Sequence, residues 1–138
     1  MNEATAATAA AIDRAIVAVP YYGFLGLRAA VIDHHVMVVL PGADRHVGDA
    51  VRRSVHGGVL AAFLEAAAQL RLHVLDSRRS VMSVDFTSAF LREAATTDTF
   101  ASPQLVRVGR RFAHVRVDAW QTDPAHPVAV GNGTFSFG

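Results

Sequence analysis

The chain divides into stretches that repeat apolar residues at helical spacing and stretches rich in β-branched residues. Residues 4–19 are rich in alanine and place apolar side chains on one side of a helix, which predicts a short amphipathic helix. Residues 24–40 contain two β-branched segments on either side of Asp33 and His34, which predicts a β-hairpin with its turn at that pair. Residues 41–54 are polar and have no sustained period, so we expect a loop with room for a short helical turn.

The second half of the chain predicts one enclosed helix followed by four strands. Residues 59–75 are strong helix formers and are apolar on nearly every side, which is typical of a helix surrounded by protein. The strand-like segments after it span residues 80–90, 99–108, 112–121 and 128–137. Strands joined by such short turns must be mostly antiparallel, because parallel neighbours need a crossover of a dozen or more residues. We therefore predict an α+β fold in which a curved antiparallel β-sheet wraps around a central α-helix.

The composition is that of one globular domain. The chain has 138 residues, 51% of them hydrophobic and 18% charged, a balance that excludes disorder, coiled coil and collagen-like repeats. Its length allows a single substantial core. No apolar stretch approaches the ~20 residues of a membrane span, and the first ten residues lack a signal-peptide pattern. We therefore expect a cytoplasmic protein that does not act on membranes.

The charged residues and the absence of cysteine exclude several kinds of chemistry. The formal charge is only +1, which gives no electrostatic reason to expect a nucleic acid as partner. All 13 basic residues are arginine, so Schiff-base catalysis is excluded, and with no cysteine so is thiolate chemistry. The seven histidines show no metal-ligand spacing. We expect a small-molecule ligand, no metal and no cofactor.

Glu65 is the most informative single residue. A carboxylate in the middle of an apolar helix is costly unless it has a partner or becomes protonated. Gln69 lies four residues further on, so both side chains project from one face and can hydrogen-bond each other or a shared ligand. The alternative is that Glu65 lies at a subunit interface or reaches water at an edge.

The glycine pair before the helix is a second candidate. Gly57 and Gly58 leave backbone N–H groups at the positive end of the helix dipole, where they could stabilise a carbonyl oxygen that gains negative charge. A glycine pair before a helix is also common simply because the chain must turn there, and from the residues alone that explanation is the stronger one. His56 could contact substrate, although a histidine at a helix start more often has a structural hydrogen bond.

Two further features are weaker candidates for substrate binding. Arg110 and Arg111 lie at a predicted turn between strands, where two guanidinium groups could bind the phosphates of a ligand. Phe86 lies on a predicted strand and could line an acyl pocket or belong to the core.

Four segments together resemble a known family: VHGGVLAAFLEAAAQL, VDFTSAFLREA, LVRVGRRFAHVRVDAW and VGNGTFSF. They are similar, in order and approximate spacing, to the hotdog-fold acyl-CoA thioesterases of the phenylacetate-degradation and 4-hydroxybenzoyl-CoA group. The resemblance covers roughly residues 20–138. It implies a hotdog fold, in agreement with the wrapped helix predicted above, and we expect residues 1–19 to form a separate N-terminal helical segment.

The resemblance also implies roles for individual residues. Gly57 matches the glycine whose N–H polarises the thioester carbonyl, and Glu65 matches the catalytic acidic residue. Gln69 falls where some relatives have a helper hydroxyl. Two departures stand out: Ala50 replaces an asparagine that many relatives carry, and residues 93–95 replace the usual Pro-Gly after FLR.

Three functions are compatible with this reading. The preferred hypothesis is hydrolysis of an acyl-CoA thioester to a free acid and CoA, with Glu65 as base or nucleophile and Gly57 as oxyanion donor. The loss of asparagine at Ala50 motivates a non-catalytic acyl-CoA binding or sensing module as the alternative. A hydratase or dehydratase would require His56 to approach Glu65.

The spacing of the two main candidates predicts an active site shared between chains. Gly57 and Glu65 are eight residues apart, about 12 Å along one straight helix. They cannot easily reach one thioester carbon together. An antiparallel two-fold mate would bring Glu65 of one chain to Gly57 of the other. The resemblance implies such homodimers, often assembled further into tetramers.

Overall fold

The N-terminal segment forms two successive helices, as seen in the computed structural model, which describes residues 2–138. Helix α1 (Glu3–Ala18) begins at Asn2, whose side chain accepts a hydrogen bond from the Thr5 N–H at 2.8 Å. Helix α2 (Pro20–Leu25) follows at once, because proline is favoured in the first turn of a helix. Gly26 ends it with a left-handed φ of 78°. The sequence analysis correctly predicted α1 but was wrong to begin the hairpin at residue 24.

The hairpin itself consists of β1 (Arg28–Ile32) and β2 (His35–Leu40). Its turn is formed by Asp33 and His34, as predicted, with φ values of 49° and 67°. Positive φ at both central residues is the signature of the tight turns that match the twist of antiparallel strands. The next segment contains a 3-10 turn, Asp44–His46, and a small hairpin of its own, formed by β3 (Val47–Asp49) and β4 (Ser54–Val55).

The long strands complete one antiparallel sheet. They are β5 (Val81–Phe90), β6 (Thr99–Val108), β7 (Phe112–Trp120) and β8 (Ala129–Phe137), each within one residue of its predicted bounds. Within residues 2–138 the sheet has six strands in the order β1-β2-β6-β7-β8-β5. Strand β5 therefore lies at an edge, where it pairs with β8 on one side only.

Helix α3 (Gly57–His73) lies against the sheet and forms the centre of the core. It begins two residues earlier than the apolar pattern predicted, and it packs against β5, β6, β7 and β8. Phe63 and Leu64 on this helix are fully buried. This arrangement confirms the predicted α+β fold with a wrapped central helix. Ile12 and Ile16 of α1 belong to the same hydrophobic core.

None of the helices within residues 2–138 combines the length and the apolar character that crossing a bilayer requires.

Candidate active site

The start of α3 presents a single free amide. The His56 side chain caps the helix, since its Nδ1 accepts a hydrogen bond from the Gly58 N–H at 2.8 Å. The sequence analysis expected both glycine amides to be free, and for Gly58 this was wrong. Among residues 2–138, no acceptor bonds the Gly57 N–H. A ligand oxygen at this end of the helix would therefore find the Gly57 amide and the positive end of the dipole.

The loop that carries this amide is held from behind by a buried histidine. The His56 N–H donates to the His46 carbonyl at 2.8 Å, and His46 Nε2 donates to the Leu25 carbonyl at 2.9 Å. His46 is only 1% exposed. Gly48 lies directly against His56, and a Cβ at Gly48 would come within 2.7 Å of the His56 Cα. These contacts fix the position from which α3 starts.

Glu65 lies two turns further along α3 and is half-buried. Its charge acts on Tyr22 of α2: burial, and secondly the negative charge of Glu65, raise the pKa of the Tyr22 hydroxyl to about 12. No side chain within residues 2–138 forms an ion pair with Glu65. The carboxylate is therefore partly desolvated, close to a neutral hydroxyl and free of a competing cation.

Gln69 does not bond Glu65, contrary to the expectation from their spacing. Its Oε1 accepts a short hydrogen bond from the Tyr22 hydroxyl, and its Nε2 donates to Ser83 Oγ at 2.9 Å. The residue is half-buried, and both ends of its amide have partners, as burial requires. Gln69 therefore holds two hydroxyl groups next to Glu65 instead of binding the carboxylate itself.

The sequence analysis missed Tyr22 and Ser83. Ser83 had a signal that could have been used, because it is the polar residue at an inward position of β5, two residues after Val81. Tyr22 had none, since it reaches Gln69 across 47 positions of sequence from a helix that was not predicted.

Both halves of this constellation face the groove between α3 and β5. At one end, a Cβ at Gly57 would lie 3.5 Å from the Phe90 ring, so that ring lies over the glycine. A cavity of about 380 Å³ opens there and is also lined by Leu60 and Arg92. At the other end, Gln69 bonds Ser83. Strand β5 thus runs antiparallel to α3 and accompanies it from the free amide to the carboxylate.

Phe86 lies between these two contacts and is packed into the core. Its ring meets Phe135 edge-on at 6.3 Å between centroids. It also fills the space above Gly131 and Gly133, where a Cβ would come within 2.7 Å of the ring. Core packing accounts for its position, and its expected contact with substrate stays a prediction.

Arg110 and Arg111 lie on the exposed turn between β6 and β7, where they were expected. The turn is anchored at the start of β5: Arg79 donates to the Arg110 carbonyl at 2.7 Å, and the Arg111 carbonyl accepts from the Phe137 N–H at 2.8 Å. A groove of about 420 Å³ beside it is lined by Arg107, Arg110, Arg111 and His114, among others. Within residues 2–138 none of these four forms an ion pair with an acid.

A single chain does not bring these groups together. Gly57 and Glu65 occupy one helix, about 12 Å apart along its axis. The arginine turn and Gly57 lie at opposite ends of the ten-residue strand β5, about 30 Å apart at the usual rise of a strand. His56 is likewise separated from Glu65 along α3, and its Nδ1 is occupied by the helix cap.

Comparison with known proteins identifies the family. Residues 46–137 match the family model described as the acyl-CoA thioesterase N-terminal domain. This segment contains β3, β4, the whole of α3 and the four long strands. It therefore includes Gly57, Glu65 and the arginine turn. No curated protein matches the chain at a significant level.

Solved structures share the fold over nearly the whole chain. A Chromobacterium violaceum protein is 29% identical, with a TM-score of 0.73 and coverage of 94% of both chains. A phenylacetic acid degradation-related protein from Ralstonia eutropha is 23% identical, with a TM-score of 0.74, covering 91% of this chain and 98% of the other. A thioesterase family protein from Silicibacter pomeroyi is 17% identical, with a TM-score of 0.79 and coverage of 94% and 97%. These similarities confirm the hotdog fold.

Proposed function

This chain belongs to the acyl-CoA thioesterase N-terminal domain family, and from that premise we propose that it hydrolyses an acyl-CoA thioester to a carboxylic acid and free CoA. The observation that supports this reaction most directly is the pairing, on one helix of the matched segment, of an unbonded Gly57 N–H with the half-buried carboxylate of Glu65. An oxyanion donor and a base or nucleophile are the two groups that thioester hydrolysis needs.

In the proposed reaction the Gly57 N–H binds the thioester carbonyl oxygen and stabilises the negative charge that develops on it. Glu65 takes a proton from a water molecule whose oxygen attacks the acyl carbon. The carbon–sulfur bond then breaks, and the proton on Glu65 passes to the CoA sulfur. Alternatively, the Glu65 carboxylate attacks the acyl carbon itself and expels CoA, and water then hydrolyses the mixed anhydride to the same products.

The hydroxyl groups beside Glu65 fit either route. The Tyr22 hydroxyl, whose pKa is raised to about 12, is neutral and donates a hydrogen bond to Gln69 throughout the physiological pH range. Gln69 in turn fixes the Ser83 hydroxyl on the opposite wall of the groove. We assign Gln69 a positioning role, since its own amide is fully used by these two partners.

We assign the phosphates of CoA to Arg110 and Arg111. The two guanidinium groups are exposed and form no ion pair with an acid in the described part of the chain, and guanidinium forks suit phosphate geometry. Their turn lies beyond the end of the groove that holds Glu65, so a CoA molecule bound there would extend its thioester toward that carboxylate.

The proposed site is shared between two chains. Strand β5 has ten residues, one unpaired edge, and exposed apolar side chains such as Met82 and Val84, which favours pairing with another strand. A two-fold mate that pairs antiparallel along β5 would reverse the direction of the groove. Gly57 of that mate would then approach the end at which Glu65, Arg110 and Arg111 of the first chain lie.

Hydrolysis is tested directly with a panel of acyl-CoA thioesters and Ellman's reagent, which detects the released thiol. We expect turnover by the wild-type protein and a loss of at least about 100-fold in kcat for Glu65→Gln, because a positioned base or nucleophile contributes at least that much. The substitution keeps the shape of the side chain and removes its charge. Equal rates for the two proteins would refute the assignment of Glu65.

A further inference from the structure

A cavity of about 150 Å³ lies next to the proposed carboxylate. It lies between the last turn of α1, the C-terminal half of α3 and the first residue of β5, and it is partly open to solvent, since Ala18 and Val19 on its α1 wall are exposed. Ala15, Ala18 and Val19 form one wall, and Leu70 and Val81 form the opposite one. Five of the eight lining residues are aliphatic, and the other three are Tyr22, Gln69 and His73. A mainly apolar lining of this kind favours an apolar occupant.

The polar groups at the edge of this cavity connect it to the site. Tyr22 and Gln69 both line it. Gln69 is one helical turn, about 6 Å, from Glu65, and the charge of Glu65 contributes to the raised pKa of Tyr22. Tyr22 and Gln69 hydrogen-bond each other, and Gln69 also bonds Ser83, which leaves the His73 imidazole as the remaining polar group in the lining. A thioester carbon placed at Glu65 would therefore have this cavity within reach of its acyl substituent.

The size of the cavity limits that substituent. An engineered apolar cavity of about 150 Å³ in another protein holds one benzene molecule. We propose, on the basis of the function proposed above, that this cavity binds the acyl group and favours acyl thioesters that fill it, about the size of a single six-membered ring or a straight chain of about six carbons.

The depth of the cavity is set by residues that the family match does not include. Ala15 and Ala18 lie outside the matched residues 46–137, on the helix that closes the cavity. A longer side chain at either position would project into the space that the acyl group needs. Substrate size is thus determined by α1, while the reacting groups lie on α3.

The test compares kcat/KM for propionyl-, hexanoyl-, benzoyl- and decanoyl-CoA. We expect decanoyl-CoA to be hydrolysed at least about tenfold less efficiently than hexanoyl-CoA. Ala15→Leu should reduce kcat/KM for hexanoyl- and benzoyl-CoA at least about tenfold and leave kcat/KM for propionyl-CoA within about threefold, since a methylene that does not fit costs a factor of ten or more.

The matched control is Ala10→Leu, on an exposed position of the same helix. Ala18→Leu, also exposed, serves if Ala15→Leu does not fold.

Binding of S-hexyl-CoA and S-decyl-CoA, which cannot be hydrolysed, separates this inference from the proposed reaction. Tighter binding of the hexyl thioether, weakened by Ala15→Leu, would support the cavity as the acyl site even if no thioester were turned over. Equal binding and equal turnover of short and long acyl groups would overturn it. A uniform loss across all chain lengths in a folded Ala15→Leu protein would overturn it as well.

Discussion

Tyr22, whose pKa is affected by Glu65, gives the folded protein a response to alkaline pH. Tyr22 has a pKa of about 12 in the folded protein, raised first by burial and then by the charge of Glu65, against an ordinary value of about 10. Below pH 10 the hydroxyl is neutral whether the chain is folded or unfolded. Between pH 10 and 12 the unfolded chain ionises at this residue and the folded protein does not, so the free energy of unfolding falls.

Replacing this tyrosine should remove part of the alkaline destabilisation. We expect the wild type to lose about 1–2 kcal/mol more stability than Tyr22→Phe between pH 9 and 12, a range discounted because the hydroxyl is only partly buried. Urea unfolding at several pH values measures the difference. The chain contains no lysine or cysteine and only two tyrosines, so few other groups titrate in this range. Parallel stability curves for the two proteins would show that Tyr22 ionises freely in the folded state.

The arginine turn gives a second prediction at this scale. Charge reversal at Arg110 and Arg111 together should raise KM for an acyl-CoA at least about tenfold, because two phosphate contacts become repulsions. KM for the corresponding pantetheine thioester, which lacks the nucleotide phosphates, should change little. The matched control is charge reversal at Arg78, which is exposed and pairs with Asp76. Equal effects on both substrates would exclude this turn from the phosphate site.

Single residues were predictable where burial alone decides their chemistry. Glu65 could be selected as a candidate because a carboxylate in an apolar helix is unusual in any fold, and Gly57 because a helix start exposes a backbone N–H; their catalytic roles stay predictions. The hydrogen-bond partners of Gln69 could not be predicted. Its spacing of four residues from Glu65 indicates a bond between those two side chains, but in the folded protein its amide bonds Tyr22 and Ser83. The Gly58 amide is bonded, and so differs from the Gly57 amide, only because of the rotamer of His56. No pattern in the sequence predicts that rotamer.

Among the elements, the small hairpin of β3 and β4 has the clearest link to the site. It lies against the N-terminus of α3, with Gly48 in contact with the His56 backbone. His46 lies just before the hairpin. Its carbonyl accepts a hydrogen bond from the His56 N–H, and its side chain donates to the carbonyl of Leu25 at the end of α2. Any displacement of this hairpin therefore moves the Gly57 amide.

Adding one methyl group to the hairpin should test this link. We expect Gly48→Ala to lower the free energy of unfolding by about 1–3 kcal/mol, because the new Cβ would overlap the His56 Cα. We also expect kcat to fall as the Gly57 amide is displaced, which thiol release will measure. Gly23→Ala is the control: nothing lies within 4 Å of its Cβ position, and alanine in helix α2 should stabilise the protein by about 0.5–1 kcal/mol. Wild-type stability and turnover in Gly48→Ala would contradict the link.

The elements that sequence predicted well are those with a sustained period. Strand β6 spans Thr99–Val108 as expected, and α3 differs from its apolar pattern by only two residues. Helix α2 was missed because Pro20–Leu25 is too short to show a period. The order of strands in the sheet could not be predicted from the sequence either, since the pairing of β5 with β8 depends on the path of the chain around α3.

At the scale of the whole molecule, the groups proposed for one reaction are separated by the fold. The free amide of Gly57 lies beside Phe90 at the end of β5, and the arginine turn lies beside its start. Two-fold pairing along the open edge of β5 would bring the missing half of each site from the partner. The proposed reaction therefore requires a dimer with two shared sites.

Gly57→Pro should remove the oxyanion donor of a shared site with little change to the backbone. Proline is favoured at the first position of a helix, and among residues 2–138 no acceptor bonds the Gly57 N–H that proline would remove. His56, with φ of −61° and ψ of 134°, already has the backbone conformation that a residue before proline prefers. Gly57→Ala is the matched control, because it keeps the N–H and its Cβ would lie at an ordinary 3.5 Å from Phe90.

The most direct test of the account is to mix Gly57→Pro with Glu65→Ala, each inactive alone, under conditions that allow subunit exchange. Mixed dimers should recover thioester hydrolysis, with up to one working site per dimer, since one pairing joins an intact Gly57 to an intact Glu65. Mixing Gly57→Ala with wild type should leave turnover close to the wild-type level. Heterodimers that are demonstrably formed but release no CoA, or a fully active monomer, would contradict the shared site.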